Sequence, residues 1–152
     1  MSKSKSALAL FNSGFNCSQS VCAAYAVDLG MQPDDALRVA AAFGGGIGRT
    51  GGMCGAVSGA LMVLGMKYGM TVADGAKRER MYAIAQEFMK RFAGRRGTLV
   101  CNDLVGADIR TAEGRQSMKE RNTHATVCSH VIEDAAGILD EMLKEDRVEG
   151  RG

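Results

Sequence analysis

Residues 43–59 read Phe43-Gly44-Gly45-Gly46-Ile47-Gly48-Arg49-Thr50-Gly51-Gly52-Met53-Cys54-Gly55-Ala56-Val57-Ser58-Gly59, and the reading of this stretch decides the fold class. Gly46 to Gly51 formally matches the GxGxxG fingerprint of dinucleotide-binding α/β folds, which needs a strand before it and a βαβ unit around it. Here the preceding residues, Ala36 to Phe43, carry helical spacing, and no βαβ pattern follows. A phosphate-binding P-loop is also excluded, because no Lys-Ser/Thr pair closes the glycine run. Two readings of the loop remain. It is either a bend joining two closely packed helices or a backbone cradle for an anion or cluster, with Gly46, Gly48, Gly51, Gly52 and Gly55 as the candidate cradle residues. Gly55 and Gly59 would in either case let another backbone come close to the helix that starts at Cys54.

Outward from this loop the apolar spacing is helical almost everywhere. The sequence predicts a short helix from about Ser4 to Asn12 and a second over Cys17–Leu29, capped by Asn16 and stopped by Gly30. Pro33 suits the first turn of a third helix that ends at Phe43. A fourth runs from about Cys54 to Tyr68. A long fifth follows from about Val72 to Phe92, with Met81, Ile84, Ala85, Phe88, Met89 and Phe92 on one face. Gly94–Gly97 reads as a basic turn. Thr98 is expected to cap a short helix through Leu104, Thr111 to begin another to about Asn122, and a last helix spans Thr126 to about Arg147. No stretch alternates with period two. The expected architecture is all-α: one compact multi-helix bundle, a single domain over residues 1–152.

Composition agrees. The chain has 152 residues, 46% hydrophobic and 24% charged, with 20 Gly, one Pro and no Trp. That apolar fraction excludes a disordered tail, and so few prolines and aromatics argue against a β-sandwich. Two lysines followed by five apolar residues at the N-terminus do not make a signal sequence. The uncharged stretch between Arg49 and Lys67, 17 residues long, falls short of the roughly 20 that span a bilayer. No transmembrane segment is expected, and the expected compartment is the cytoplasm. Net charge is +2, yet Lys77, Arg78, Arg80, Lys90, Arg91, Arg95 and Arg96 face only Glu79 and Glu87. Such a stripe reads as a solvated face or as a guide for an acidic partner protein. No motif for nucleic-acid binding accompanies it, and the sequence leaves room for a homodimer.

Five cysteines are too few, and odd in number, for a disulfide scaffold. Cys17, Cys54, Cys101 and Cys128 lie at or near expected helix starts, where amide dipoles favour the thiolate that binds metal or attacks a disulfide. Cys22 lies five residues after Cys17, about 140° round the same helix, among Val21, Ala23, Ala24 and Ala26; it reads as a core residue. His124 and His130 flank Cys128. Only His124 has the spacing to share its face, either in a mixed Cys/His zinc site or as a surface residue. There is no Cys-x-x-Cys and no Cys-x-x-Cys-His, which removes c-type haem attachment. Ser58 lies inside a helix and not at a nucleophile elbow. The ten methionines read as core filler.

The segments Asn16-Cys17-Ser18-Gln19-Ser20-Val21, Phe43–Gly48, Cys54-Gly55-Ala56-Val57-Ser58-Gly59, Cys101-Asn102-Asp103-Leu104-Val105-Gly106 and Cys128-Ser129-His130-Val131, in that order, resemble the redox-active protein family named for its C_GCAxxG_C_C pattern. Cys17, Cys54, Cys101 and Cys128 fall on its four cysteines, and Cys22 has no place in it. The resemblance implies a small helical bundle with a redox or electron-transfer role. A similar domain occurs in the split-Soret cytochromes c, where the cysteines are thought to hold an iron–sulfur cluster. On that basis the four cysteines are expected to gather at one end of the bundle around an iron–sulfur cluster of the 2Fe–2S type, zinc being the less favoured metal. The chain would then be an oxidoreductase or a one-electron carrier. The alternatives are a thiol–disulfide oxidoreductase or redox sensor using a pair such as Cys54 and Cys101, and a non-catalytic helical binding module with buried cysteines.

Overall fold

The structure, a computed structural model, describes residues 2–148; Met1 and residues 149–152 of the expected domain lie outside the described residues. Helix α1 (Lys3–Asn12) leads into α2 (Cys17–Ala26), which a short 3-10 turn extends to Leu29. Asn16 and Gln19 form a reciprocal capping box at the start of α2, satisfying two backbone donors that would otherwise have no partner. Gly30 closes this unit at φ 91°, in the left-handed region that glycine enters without steric cost. Pro33 opens α3 (Pro33–Ala40). Helix α4 (Gly55–Tyr68) has Cys54 as its N-cap residue. The expected order of helices is observed, and the fold is all-α; among the described residues the only β-type pairing is an isolated bridge between Met53 and Val100.

Three boundaries differ from expectation. Helix α5 spans Gly75–Arg96, starting later and ending later than its apolar stripe suggests. The Asp74 carboxylate accepts the Lys77 N–H at 2.9 Å and so sets the start. Gly94 does not break the helix, because Arg91, Arg95 and Arg96 of its last turns are tied to acids of the final helix; the turn falls at Gly97, φ 83°. Helix α6 (Cys101–Val105) is preceded by Val100, not by Thr98. Thr98 instead uses its hydroxyl to accept the Val100 N–H at 3.0 Å. Thr111 does cap α7 (Ala112–Glu120) through the Gly114 N–H. The last helix, α8 (Ser129–Val148), follows a π-helical turn over His124–Cys128, so Cys128 sits on a widened turn rather than within a regular helix.

Helices α4 and α8 supply the centre of the core. Val57, Ala60, Val63 and Leu64 of α4 meet Val131, Ile132, Ala135, Ile138 and Leu139 of α8, with Phe88 and Phe92 of α5 fully buried against them. Each such large side chain contributes about 1.5–3 kcal/mol of burial free energy. Tyr25 ties α2 to α8, its hydroxyl donating to the Ala136 carbonyl and to Asp140 at 2.9 and 2.7 Å. The closest helix approach is that of α2 to α4. A Cβ on Gly59 would lie 2.6 Å from the Ser18 carbonyl oxygen, so only glycine permits this spacing. It draws the start of α2, with Cys17, against the start of α4, with Cys54. No helix among the described residues is long and apolar enough to cross a membrane.

Candidate functional site

Four separate segments deliver four thiols to one open cavity of about 1110 Å³. Cys17 comes from the first turn of α2, Cys54 from the cap of α4, Cys101 from the first turn of α6 and Cys128 from the π-helical turn before α8. All four line the cavity. Two local devices hold them there. Gly55, where an added Cβ would lie 3.2 Å from the Cys17 Cβ, keeps α4 against α2. Two backbone bonds then clamp the loop to the start of α6: the Cys54 N–H donates to the Leu99 carbonyl at 2.8 Å, and the Cys101 N–H to the Gly52 carbonyl at 2.6 Å.

The glycine loop is built differently from an open cradle. Residues 45–49 all have positive φ, between 59° and 69°, a short left-handed turn that costs Ile47 and Arg49 about 1–2 kcal/mol each. The N–H groups of Gly48, Gly51 and Gly52 donate to the carbonyls of Ala42, Gly45 and Gly46. These three expected cradle amides are therefore committed to holding the turn itself. Gly46 acts through its missing side chain, since a Cβ there would lie 2.4 Å from the Gly52 nitrogen and 2.8 Å from the Cys101 Cβ. Gly55 and Gly48 line the cavity.

The thiols are not the uniformly acidic set that their place near helix starts suggests. Burial pushes Cys54 up to about 11, against the opposing pull of the Ala56 and Val57 amides. Burial and the neighbouring Cys54 and Cys128 push Cys101 up to about 12. Desolvation outweighs the helix dipole at both positions. Cys17 and Cys128 share a proton: Cys17 donates and is held well above the ordinary thiol range, while Cys128 accepts and is lowered. The pair joined by a side-chain hydrogen bond is Cys17 and Cys128. All five cysteines are free thiols. Among the described residues, no three Cys, His, Asp or Glu side chains converge on a point that would hold a single metal ion. Four thiols line one cavity, the donor type that thiophilic metals and iron–sulfur clusters take.

Cys22 lies away from this site, fully buried with Ala23, Ala26, Ala36 and Ala40 in a second small core. His124 is on the cavity but stacks on the Phe11 ring, centroids 3.8 Å apart; His130 faces Glu133 at 3.9 Å. Sequence reasoning missed two asparagines. Asn16 and Asn102, each adjacent to a site cysteine, wedge their side chains against Gly44 and Gly51, at 2.5 and 2.3 Å from where a Cβ would stand. Asn102 also accepts the Ile109 N–H at 3.0 Å. The signal was present in the Asn-Cys and Cys-Asn pairs that face two glycine-flanked segments.

The basic stripe is largely paired inside the molecule. Arg91 binds Glu87 and Glu145, Arg95 binds Glu141, Arg96 binds Asp134, and Arg80 approaches Asp146 at 4.0 Å. Helix α8 supplies the acids that α5 lacks, so much of the stripe is a helix–helix seam.

Among curated proteins and among solved structures, no match to the chain is found. A family model described as "Putative redox-active protein (C_GCAxxG_C_C)" matches residues 15–142, a span that holds all four cavity cysteines and the left-handed turn. The chain belongs to the C_GCAxxG_C_C family, whose members are described as redox-active proteins.

Proposed function

We propose that this chain is a one-electron carrier in which Cys17, Cys54, Cys101 and Cys128 hold an iron–sulfur cluster of the 2Fe–2S type. The observation that supports it most is the meeting of these four thiols, from four segments of the chain, in one cavity. When bound, such a group supplies reversible gain and loss of a single electron. The residues contribute the rest. The Gly59 contact and the clamp between residues 52–54 and 99–101 fix the spacing of three of the cysteines. Loading requires the thiols to lose their protons, and the lowered Cys128 is the first to do so. Apolar Leu104, Val127 and Val131 form part of the cavity wall and keep water from the sulfur ligands.

A second reading rests on the contact between Cys17 and Cys128. By exchange with a partner disulfide, which takes up the two electrons and two protons and leaves as a dithiol, these two thiols would form a disulfide, making the chain a thiol–disulfide protein. Electronic absorption on anaerobically purified protein separates the two. The cluster reading expects visible absorption that bleaches on reduction and returns on oxidation. A colourless protein that loses two titratable thiols on mild oxidation would favour the dithiol reading.

A further inference from the structure

The charge on the cavity mouth is of one sign. Its charged lining residues are Arg49, Arg115 and Lys119, and no Asp or Glu lines it. Among the described residues none of these three is in an ion pair. Elsewhere Arg38, Arg80, Arg91, Arg95, Arg96 and Arg110 have acidic partners, whereas Arg121 donates to Ser117 and to the Val105 carbonyl. Arg78 is in no ion pair among the described residues. The carboxylates nearest in sequence to the α7 cations, Glu113 and Glu120, do not line the cavity, and Glu120 accepts from the Gln116 side-chain amide at 3.2 Å. Asp108, further back in the chain, is bound by the Arg110 guanidinium at 2.9 Å through both oxygens.

Of the three cations, Arg115 has its side chain held in position. Arg115 donates from one guanidinium nitrogen to the carbonyls of Ile109 and Arg110, at 3.0 and 3.1 Å. This fixes the plane of the group while leaving its other N–H groups for a ligand. Lys119 lies one turn further along α7, where two like charges at i and i+4 repel each other unless an anion sits between them. Arg49 is on the left-handed turn, its backbone N–H tied to the Gly44 carbonyl at 3.1 Å. The lining also includes apolar Phe11, Leu104, Ile109 and Met118. The cavity is as large as sites that take whole small molecules, which run to roughly 1,000 Å³.

From this arrangement we infer that the thiol cavity binds a small organic anion with an apolar body, its carboxylate, sulfonate or phosphate group held by Arg115, Lys119 and Arg49. The binding itself does not depend on a cluster. That the anion exchanges electrons at this site rests on the reading under Proposed function.

Calorimetric titration of the full chain with 2-naphthalenesulfonate and with the neutral 2-naphthalenesulfonamide tests the inference. The sulfonate is expected to bind at one site per chain, about tenfold tighter than the sulfonamide, as one charge-assisted contact would give. The double variant Arg115→Gln/Lys119→Gln removes that preference, and Arg91→Gln, on the α5–α8 seam, retains it. Circular dichroism establishes that each variant is folded. Equal binding of the two probes, an unchanged preference in the double variant, or an equal loss in Arg91→Gln overturns the inference. Iron and sulfide measured on the same samples keep the two proposals apart. Selective sulfonate binding by iron-free protein sustains the anion site alone, whereas a loaded cluster without selectivity sustains the cluster alone.

Discussion

Cys17 and Cys22 stand five residues apart on one helix, and the chemistry around them has little in common. Cys22 is fully buried among alanines of α2 and α3. Burial alone raises its thiol, and it behaves as a small hydrophobe. Cys17, at the start of the same helix, faces a cavity that three other cysteines share, and it interacts with all three. Burial does not separate Cys22 from the cavity cysteines, Cys54 being buried as well. Convergence does: the glycine contact with α4, the clamp to α6 and the π-helical turn before α8 all bring sulfur to the same place.

The largest expected effect is on metal content. Replacing any one of Cys17, Cys54, Cys101 or Cys128 by Ser is expected to remove most bound iron, whereas Cys22→Ala keeps it; iron assay of the five variants side by side checks this. If Cys22→Ala lost iron as well, the comparison would collapse. Next comes Gly59→Ala. The added methyl group meets the Ser18 carbonyl, and forcing α2 off α4 is expected to cost about 1–3 kcal/mol by overpacking, together with part of the iron. Urea denaturation read alongside iron content measures both. Cys22→Ala itself is expected to lower stability by no more than about 1 kcal/mol, with no change at the cavity.

The smallest effect is one of pH. The Arg110 guanidinium beside Asp108 holds its carboxyl at about 2, below its usual 3.8. The folded state therefore binds this proton less readily than the unfolded chain, so the contribution is complete above about 4 and is lost as the pH falls towards 2. Because Asp108 accepts from Asn102, which lies against the glycine loop, acid should loosen the cavity wall while the Cys22 side is unaffected. Hydrogen exchange between pH 4 and pH 2.5 would show this; equal loosening of both sides would contradict it.

Much of this was legible in local sequence. Asn16 with Gln19, Gly30, Pro33 and Thr111 each marked a helix end by chemistry that acts within a turn or two. The family pattern singled out the four cysteines. What the sequence did not disclose depends on tertiary placement. The thiol shifts reverse the dipole argument at Cys54 and Cys101 because desolvation is set by packing. The glycine loop spends its amides on a left-handed turn, which composition alone does not distinguish from an open anion nest. The α5 stripe found its acids on α8, 38 or more residues away. Arg115 and Lys119 carry no local signal of a site; their place comes from α7 forming part of the wall of the thiol cavity.

Whether the four converging thiols hold a cluster is decided by the metal and sulfide that accompany the chain. Iron and acid-labile sulfide are measured per chain on protein expressed with iron and purified without oxygen. About two of each per chain is the predicted result for a 2Fe–2S centre ligated by four cysteines. Protein that carries neither iron nor sulfide under those conditions, with all five thiols titrating, would contradict it.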